Sequence, residues 1–137
     1  DDLRALTGLR IGAVKWTRPH RLAEHRFPGA RVIAYETAAA MSQALIDGDV
    51  NALVHDDPYV RVWPRFNSKH AGRFRALLKP VTAEPISIAM RKGDLEFLRF
   101  LDAYVGEVRQ DGTIEGIYRR QFVDAEWFET AEKGGEE

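Results

Sequence analysis

Two segments of this chain pass from a short apolar run through a few polar residues to a proline. They are Ile11-Gly12-Ala13-Val14-Lys15-Trp16-Thr17-Arg18-Pro19 and Val50-Asn51-Ala52-Leu53-Val54-His55-Asp56-Asp57-Pro58. A short apolar run with an abrupt polar end reads as a buried strand, and proline suits the first helical position because it has no N–H to leave unpaired. Strand followed at once by helix, and repeated, argues for parallel βαβ units. In such open sheets ligands bind just beyond the carboxyl ends of the strands. The two segments therefore point to a site with anion-binding groups on one loop and a carboxylate on the other, which suits a zwitterion such as a free amino acid.

The rest of the chain extends this alternation. Leu9 to Val14 is expected as a strand, Pro19 to His25 as a helix, Pro28-Gly29 as a turn and Arg31 to Tyr35 as a second strand. Thr37 is placed to cap a helix over Ala38 to Ile46 that Gly48 ends. Val50 to Val54 is a third strand, followed by a helix from Pro58 to Phe66 and a loop through His70-Ala71-Gly72. Arg75 to Leu78 and Ile86 to Met90 read as further strands, and helices over Leu95 to Arg109 and Ile114 to Phe122 close the fold. The fold class expected is α/β: a mostly parallel open sheet with flanking helices, then a C-terminal strand–helix–helix segment. Glu132 to Glu137 reads as a frayed acidic tail.

Composition bounds the function. At 137 residues the chain suits one domain with a real core, and 30% charged with 45% apolar residues is globular usage. With no cysteine, disulfides and thiolate metal sites are excluded. No apolar run approaches the roughly 18 residues of a membrane span, and no signal peptide opens the sequence, as in a mature or trimmed form. Charge is divided unevenly: twelve Lys/Arg face six Asp/Glu between Thr7 and Ala83, whereas five face twelve from Asp94 onward. Six basic residues and no acidic one lie between Pro58 and Ala83. A solvated helix face and loop is the expectation for that run; nucleic-acid binding would need a recognition motif, and none is present.

At the first strand end, Thr17 and Arg18 sit where free amides and the helix dipole favour an anion, and Arg18 offers a guanidinium for a carboxylate. Both residues equally suit a role confined to starting the helix. At the second, Pro58 as the first helical residue makes Asp57 the N-cap and leaves Asp56 uncommitted, a candidate partner for a ligand ammonium. Capping by Asp56 itself, or pairing with a nearby Arg or His, is the competing role. Trp16 and Tyr59 adjoin these groups and are candidate ligand walls, whereas Trp63 and Trp127 have the spacing of packing residues. Neither a nucleophile elbow nor a P-loop nor a dinucleotide fingerprint occurs. His20 and His25 do not share a helix face well, and His55, Asp56 and Asp57 alternate in direction along a strand, so no metal or other cofactor is expected.

The order of Leu9-Arg10-Ile11-Gly12-Ala13-Val14, Thr17, Phe27-Pro28-Gly29-Ala30, Val50 to Asp56, Glu84-Pro85-Ile86-Ser87-Ile88-Ala89-Met90-Arg91-Lys92-Gly93-Asp94 and Asp111-Gly112-Thr113-Ile114-Glu115-Gly116-Ile117-Tyr118 resembles the extracytoplasmic solute-binding proteins of polar amino-acid ABC transporters. The resemblance runs from Asp2 to Phe128. It implies a periplasmic-binding-protein-like fold whose two lobes close on a solute. Residues 1–83 would be the second lobe, 84–128 a return segment completing the first, and 129–137 an acidic tail. It further implies that Thr17 contacts the ligand α-carboxylate and Asp56 the α-ammonium. The family has glycine and then two hydroxyl residues in the first loop, where this chain has Trp16, Thr17 and Arg18. Arg18 then favours an acidic ligand, or Trp16 partly fills the site.

The expected function is therefore the binding of an amino acid or small carboxylate for an ABC-type uptake system, without catalysis or cofactor, in the periplasm or outside the cell. A membrane permease is the expected partner. A dehydratase or peptidoglycan-active enzyme and a ligand-sensing receptor domain are the alternatives on this fold, and the only acid/base candidates are Asp56 and Glu84. The family's chain begins with a lobe's worth of sequence that has no counterpart here. The chain thus reads as a fragment or one piece of an assembly, with homo-oligomers or strand exchange expected through 84–128.

Overall fold

The computed structural model describes residues 8–83, 85–125 and 127. Its centre is a parallel sheet of three strands, β1 (Arg10–Val14), β2 (Arg31–Tyr35) and β3 (Ala52–Leu53), in the order β2-β1-β3. Helix α1 (Arg18–Arg26) joins β1 to β2, and α2 (Ala38–Asp47) joins β2 to β3. The first connection steps from β1 to β2 and the second returns across β1 to the opposite edge, so a common right-handed crossover puts their helices on opposite faces. The core divides accordingly. Leu9, Ile11, Ala23 and Phe27 pack under α1, while Ala44, Leu45, Val50 and Trp63 pack on the other face.

Alternation along β1 makes this two-sided burial work: Ile11 and Ala13 are fully buried, and Gly12 between them faces α2. A Cβ on Gly12 would lie 3.2 Å from the Met41 Cγ and 3.3 Å from the Tyr35 ring, so the missing side chain lets α2 seat closely on the central strand. Helix α2 has both expected signals. The Thr37 hydroxyl accepts from the Ala40 N–H, and Gly48, with φ at 86°, turns the chain through the left-handed region.

The third strand is shorter than the expected Val50–Val54. The Val50 N–H still bonds the Ala44 carbonyl at the end of α2, and the Asn51 side chain takes the Arg10 N–H at 3.0 Å in place of a strand carbonyl. Beyond β3, α3 (Asp57–Phe66) begins one residue earlier than expected, and Asn67 links it to a short α4 (Ser68–Ala71), where a loop was expected. Residues 75–78 and 86–90 were expected as strands and form none. Apolar alternation makes a strand only beside another backbone. Among the described residues neither segment finds one, and Ile86 is 96% exposed.

Two helices, α5 (Leu95–Gln110) and α6 (Thr113–Tyr118), follow, and a π-helical turn over Arg119–Asp124 continues α6 in place of the expected α-helix to Phe122. This end of the chain docks on α3. Arg61 reaches both Asp57 and the Tyr118 hydroxyl at 2.8 Å, and Arg65 donates to the Val123 and Asp124 carbonyls. Arg73 bonds the Ile46 carbonyl at 3.1 Å. Arg61, Arg65 and Arg73 thus each make a bond within the molecule, while Lys69, Arg73, Arg75 and Lys79 stay exposed. Trp63 is buried as expected. Trp127 remains 39% exposed, anchored through its indole N–H to the Gln121 carbonyl. The expected tail, and Glu84 at the head of the expected return segment, lie outside the described residues. Among the described residues no helix is long and apolar enough to cross a membrane.

Candidate functional site

Because β1 sends its chain to β2 on one side and pairs with β3 on the other, the order reverses between β1 and β3. That reversal opens a crevice at the carboxyl edge of an open α/β sheet. The loops leaving these two neighbouring parallel strands are those that carry Trp16, Thr17 and Arg18, and His55, Asp56 and Asp57. The structure thus brings both sequence-derived loops to one edge.

Each loop enters its helix through the same frame: an N-cap residue, one charged residue, then proline. In the first loop Thr17 is the N-cap. Its hydroxyl donates to the Val14 carbonyl at 2.6 Å and accepts from the His20 N–H at 3.3 Å. Arg18 follows at the first helical position and is solvent-exposed. Trp16, just before the cap, has φ at 64° and is 86% exposed. The Lys15 ammonium lies 6.0 Å from the centre of its indole and also pairs with Glu36 at the end of β2.

In the second loop the N-cap is Asp56, a correction to the expectation that Asp57 would fill that place. The Val60 N–H closes the first turn on the Asp56 carbonyl. Asp57, inside the helix, gives its carboxylate to Arg61 and to the Tyr118 hydroxyl. Proline at the second helical position removes one of the two amides an N-cap side chain uses, and Asp56 makes no capping bond. Its carboxylate is 59% exposed. The uncommitted carboxylate expected at this strand end is therefore present.

His55 belongs to this site more closely than its place in a strand suggested, because β3 ends at Leu53 and leaves it free to turn. Its Nδ1 accepts from the Asp56 N–H at 2.9 Å, which puts the proton of the neutral ring on Nε2. The ring stacks on Tyr59, with centroids 4.0 Å apart. Burial pushes the imidazole below its usual value, and the nearby Asp56 carboxylate only partly opposes this. The Asp56 contact at 3.8 Å is accordingly between a carboxylate and a neutral ring near pH 7.

Tyr59 is itself held from below. The Trp63 indole donates to Ser42 Oγ at 2.8 Å, Ser42 shares a hydrogen with the Tyr59 hydroxyl, and Tyr59 donates to the Ala38 carbonyl at 3.2 Å. Indole can only donate and a carbonyl only accept, so every proton in this relay has one direction. Tyr59 thus forms a fixed base for His55 and, through it, for Asp56. Sequence reasoning did not find Ser42; its signal was a lone hydroxyl on the otherwise apolar face of α2. Among the described residues no cluster of acidic and histidine side chains could hold a metal.

No family model matches the chain. It is 26% identical over 113 residues to the ABC transporter glutamine-binding protein GlnH of Bacillus subtilis, covering 82% of this chain and 40% of that protein. It is 25% identical over 118 residues to a provisionally named arginine-binding protein 2 of an ABC transporter in Escherichia coli, covering 85% of this chain and 49% of that one. A solved structure, of a provisionally assigned ABC transporter binding component from Wolinella succinogenes complexed with lysine, superposes with a TM-score of 0.74 at 25% identity. That match covers 94% of this chain and 55% of the other. The chain thus spans about half the length of the relatives it matches. By sequence and by fold it is related to the amino-acid-binding components of ABC transporters.

Proposed function

We propose that this chain carries half of the solute site of an ABC-type uptake system and holds an amino-acid-like ligand at the carboxyl edge of β1 and β3. The observation that carries this reading is Asp56: an N-cap carboxylate without a capping bond, backed by the His55–Tyr59 stack, at the switch point of the sheet. An ammonium group is the natural occupant of a fixed, accessible carboxylate. The Thr17 side of the crevice takes the ligand carboxylate. Its hydroxyl turns from the Val14 carbonyl toward the anion, with the α1 dipole and Arg18 alongside. Trp16 and Tyr59 wall the space between.

The names of the relatives support binding without chemistry, and support a membrane permease as the partner and an extracytoplasmic location. The test is calorimetry of amino acids and small carboxylates on the full-length protein and on Asp56→Asn. The reading expects a bound amino acid whose affinity falls about a hundredfold in the variant, the loss of a charge-assisted contact. Equal affinity in both proteins would remove Asp56 from the site.

A further inference from the structure

Trp16 has a conformation and an exposure that its structural surroundings do not reward. The Thr17 N–H reaches the Val14 carbonyl at 3.4 Å, which closes a turn with Lys15 and Trp16 at its two central positions. The second of these takes positive φ, a place that such turns give to glycine or asparagine, and Trp16 holds it at 64°. A bulky side chain there is a backbone outlier. Strain of this kind is ordinarily repaid by packing, yet the indole is 86% exposed. A residue that neither relaxes its backbone nor fills a core, at the switch point of the sheet, is a feature of the ligand site and not of the fold.

We infer that Trp16 sets specificity: its indole stacks on the side chain of the bound amino acid and favours planar, uncharged or acidic side chains over cationic ones. This rests on the solute-binding reading above. An aromatic face attracts flat groups by stacking and cations by its quadrupole. Here a cation is already in place. Lys15 stands 6.0 Å from the ring centre, held there by its pair with Glu36. With the ring quadrupole already engaged by that ammonium, a ligand cation gains less from the indole, whereas a carboxamide, carboxylate or aromatic ring still stacks on it.

The test is calorimetry on the full-length protein with L-glutamine, L-glutamate, L-phenylalanine, L-arginine and glycine, repeated on Trp16→Gly and Trp16→Phe. In the natural protein one of the first three binds at least about tenfold more tightly than arginine. Trp16→Gly weakens that ligand about tenfold or more and leaves glycine unchanged, while relief of the strained backbone raises the melting temperature by a few degrees. Trp16→Phe keeps both the ring and the strain and stays within about threefold of the natural protein. Arginine as the tightest ligand, or equal affinities in the natural protein and Trp16→Gly, would overturn the inference and leave the solute-binding reading standing. Binding of none of the five to the natural protein would overturn both.

Discussion

Thr17 and Asp56 hold the same position in two copies of one local frame, each an N-cap two residues ahead of a proline, and only Thr17 caps its helix with its side chain. The two residues should therefore separate when stability and binding are measured together. Thr17→Val removes a made cap and costs about 1 kcal/mol. Asp56→Asn removes no capping bond and shifts stability by less than about 0.5 kcal/mol, the usual range for a surface change. Urea unfolding of both variants checks this, and a larger loss in Asp56→Asn than in Thr17→Val would contradict it.

The stack of His55 on Tyr59 gives stability a pH dependence of known sign. The folded state holds the imidazole pKa below its ordinary value of 6.5, chiefly through burial. Below that value the unfolded chain binds a proton that the folded one refuses, so stability falls. The contribution is complete above about pH 6.5 and is lost as the pH drops through the lowered folded value. Melting temperatures between pH 7.5 and 5 should fall less steeply in His55→Gln than in the natural protein. Identical slopes would mean that the ring titrates as it does in solution.

Ser42 is the middle of the relay that fixes Tyr59. Ser42→Ala strands the buried Trp63 N–H and should cost about 1–3 kcal/mol. Trp63→Phe removes that donor, so adding Ser42→Ala to it should cost less than Ser42→Ala alone. Additive losses in the denaturant midpoints would show that the relay is not one unit.

Tyr118 joins α6 to α3 through Asp57 and Arg61. Tyr118→Phe should speed amide exchange in α6 and the π-helical turn, while amides of β1 keep their rates, because none of these bonds touches the sheet. A double-mutant cycle of Asp57→Asn with Tyr118→Phe should give a coupling of about 1 kcal/mol. Uniform acceleration across β1 and α6 would show that the two regions open together.

The elements legible in the sequence are those whose signals are local. Thr37 and Gly48 bracket α2 as read, and β1, α1 and β2 fall within a residue or so of their expected bounds. What failed depended on partners distant in the chain. Residues 75–78 and 86–90 have strand-like composition, but a ladder needs a second backbone, and alternation does not reveal whether one is there. Asp57 lies inside the helix and not at its cap, its carboxylate claimed by Arg61 and by Tyr118, the latter 61 residues away. The stack of His55 on Tyr59 has no signal in the sequence, because it depends on β3 ending at Leu53 and leaving the ring free to turn. The helix expected to run on to Phe122 continues past Tyr118 as a π-helical turn, a change of winding that apolar spacing does not distinguish.

The central position of the first strand has a consequence for how the sheet holds together. Both later strands pair with β1, and neither needs the other. β2 and β3 each reach the sheet through β1 alone, so a change that displaces β1 removes both neighbours at once, whereas loss of either edge strand leaves the other pairing in place. The edge that carries Trp16 and Asp56 is completed by the contact of Tyr59 with Ser42, so the packing of α3 on α2 also shapes the site.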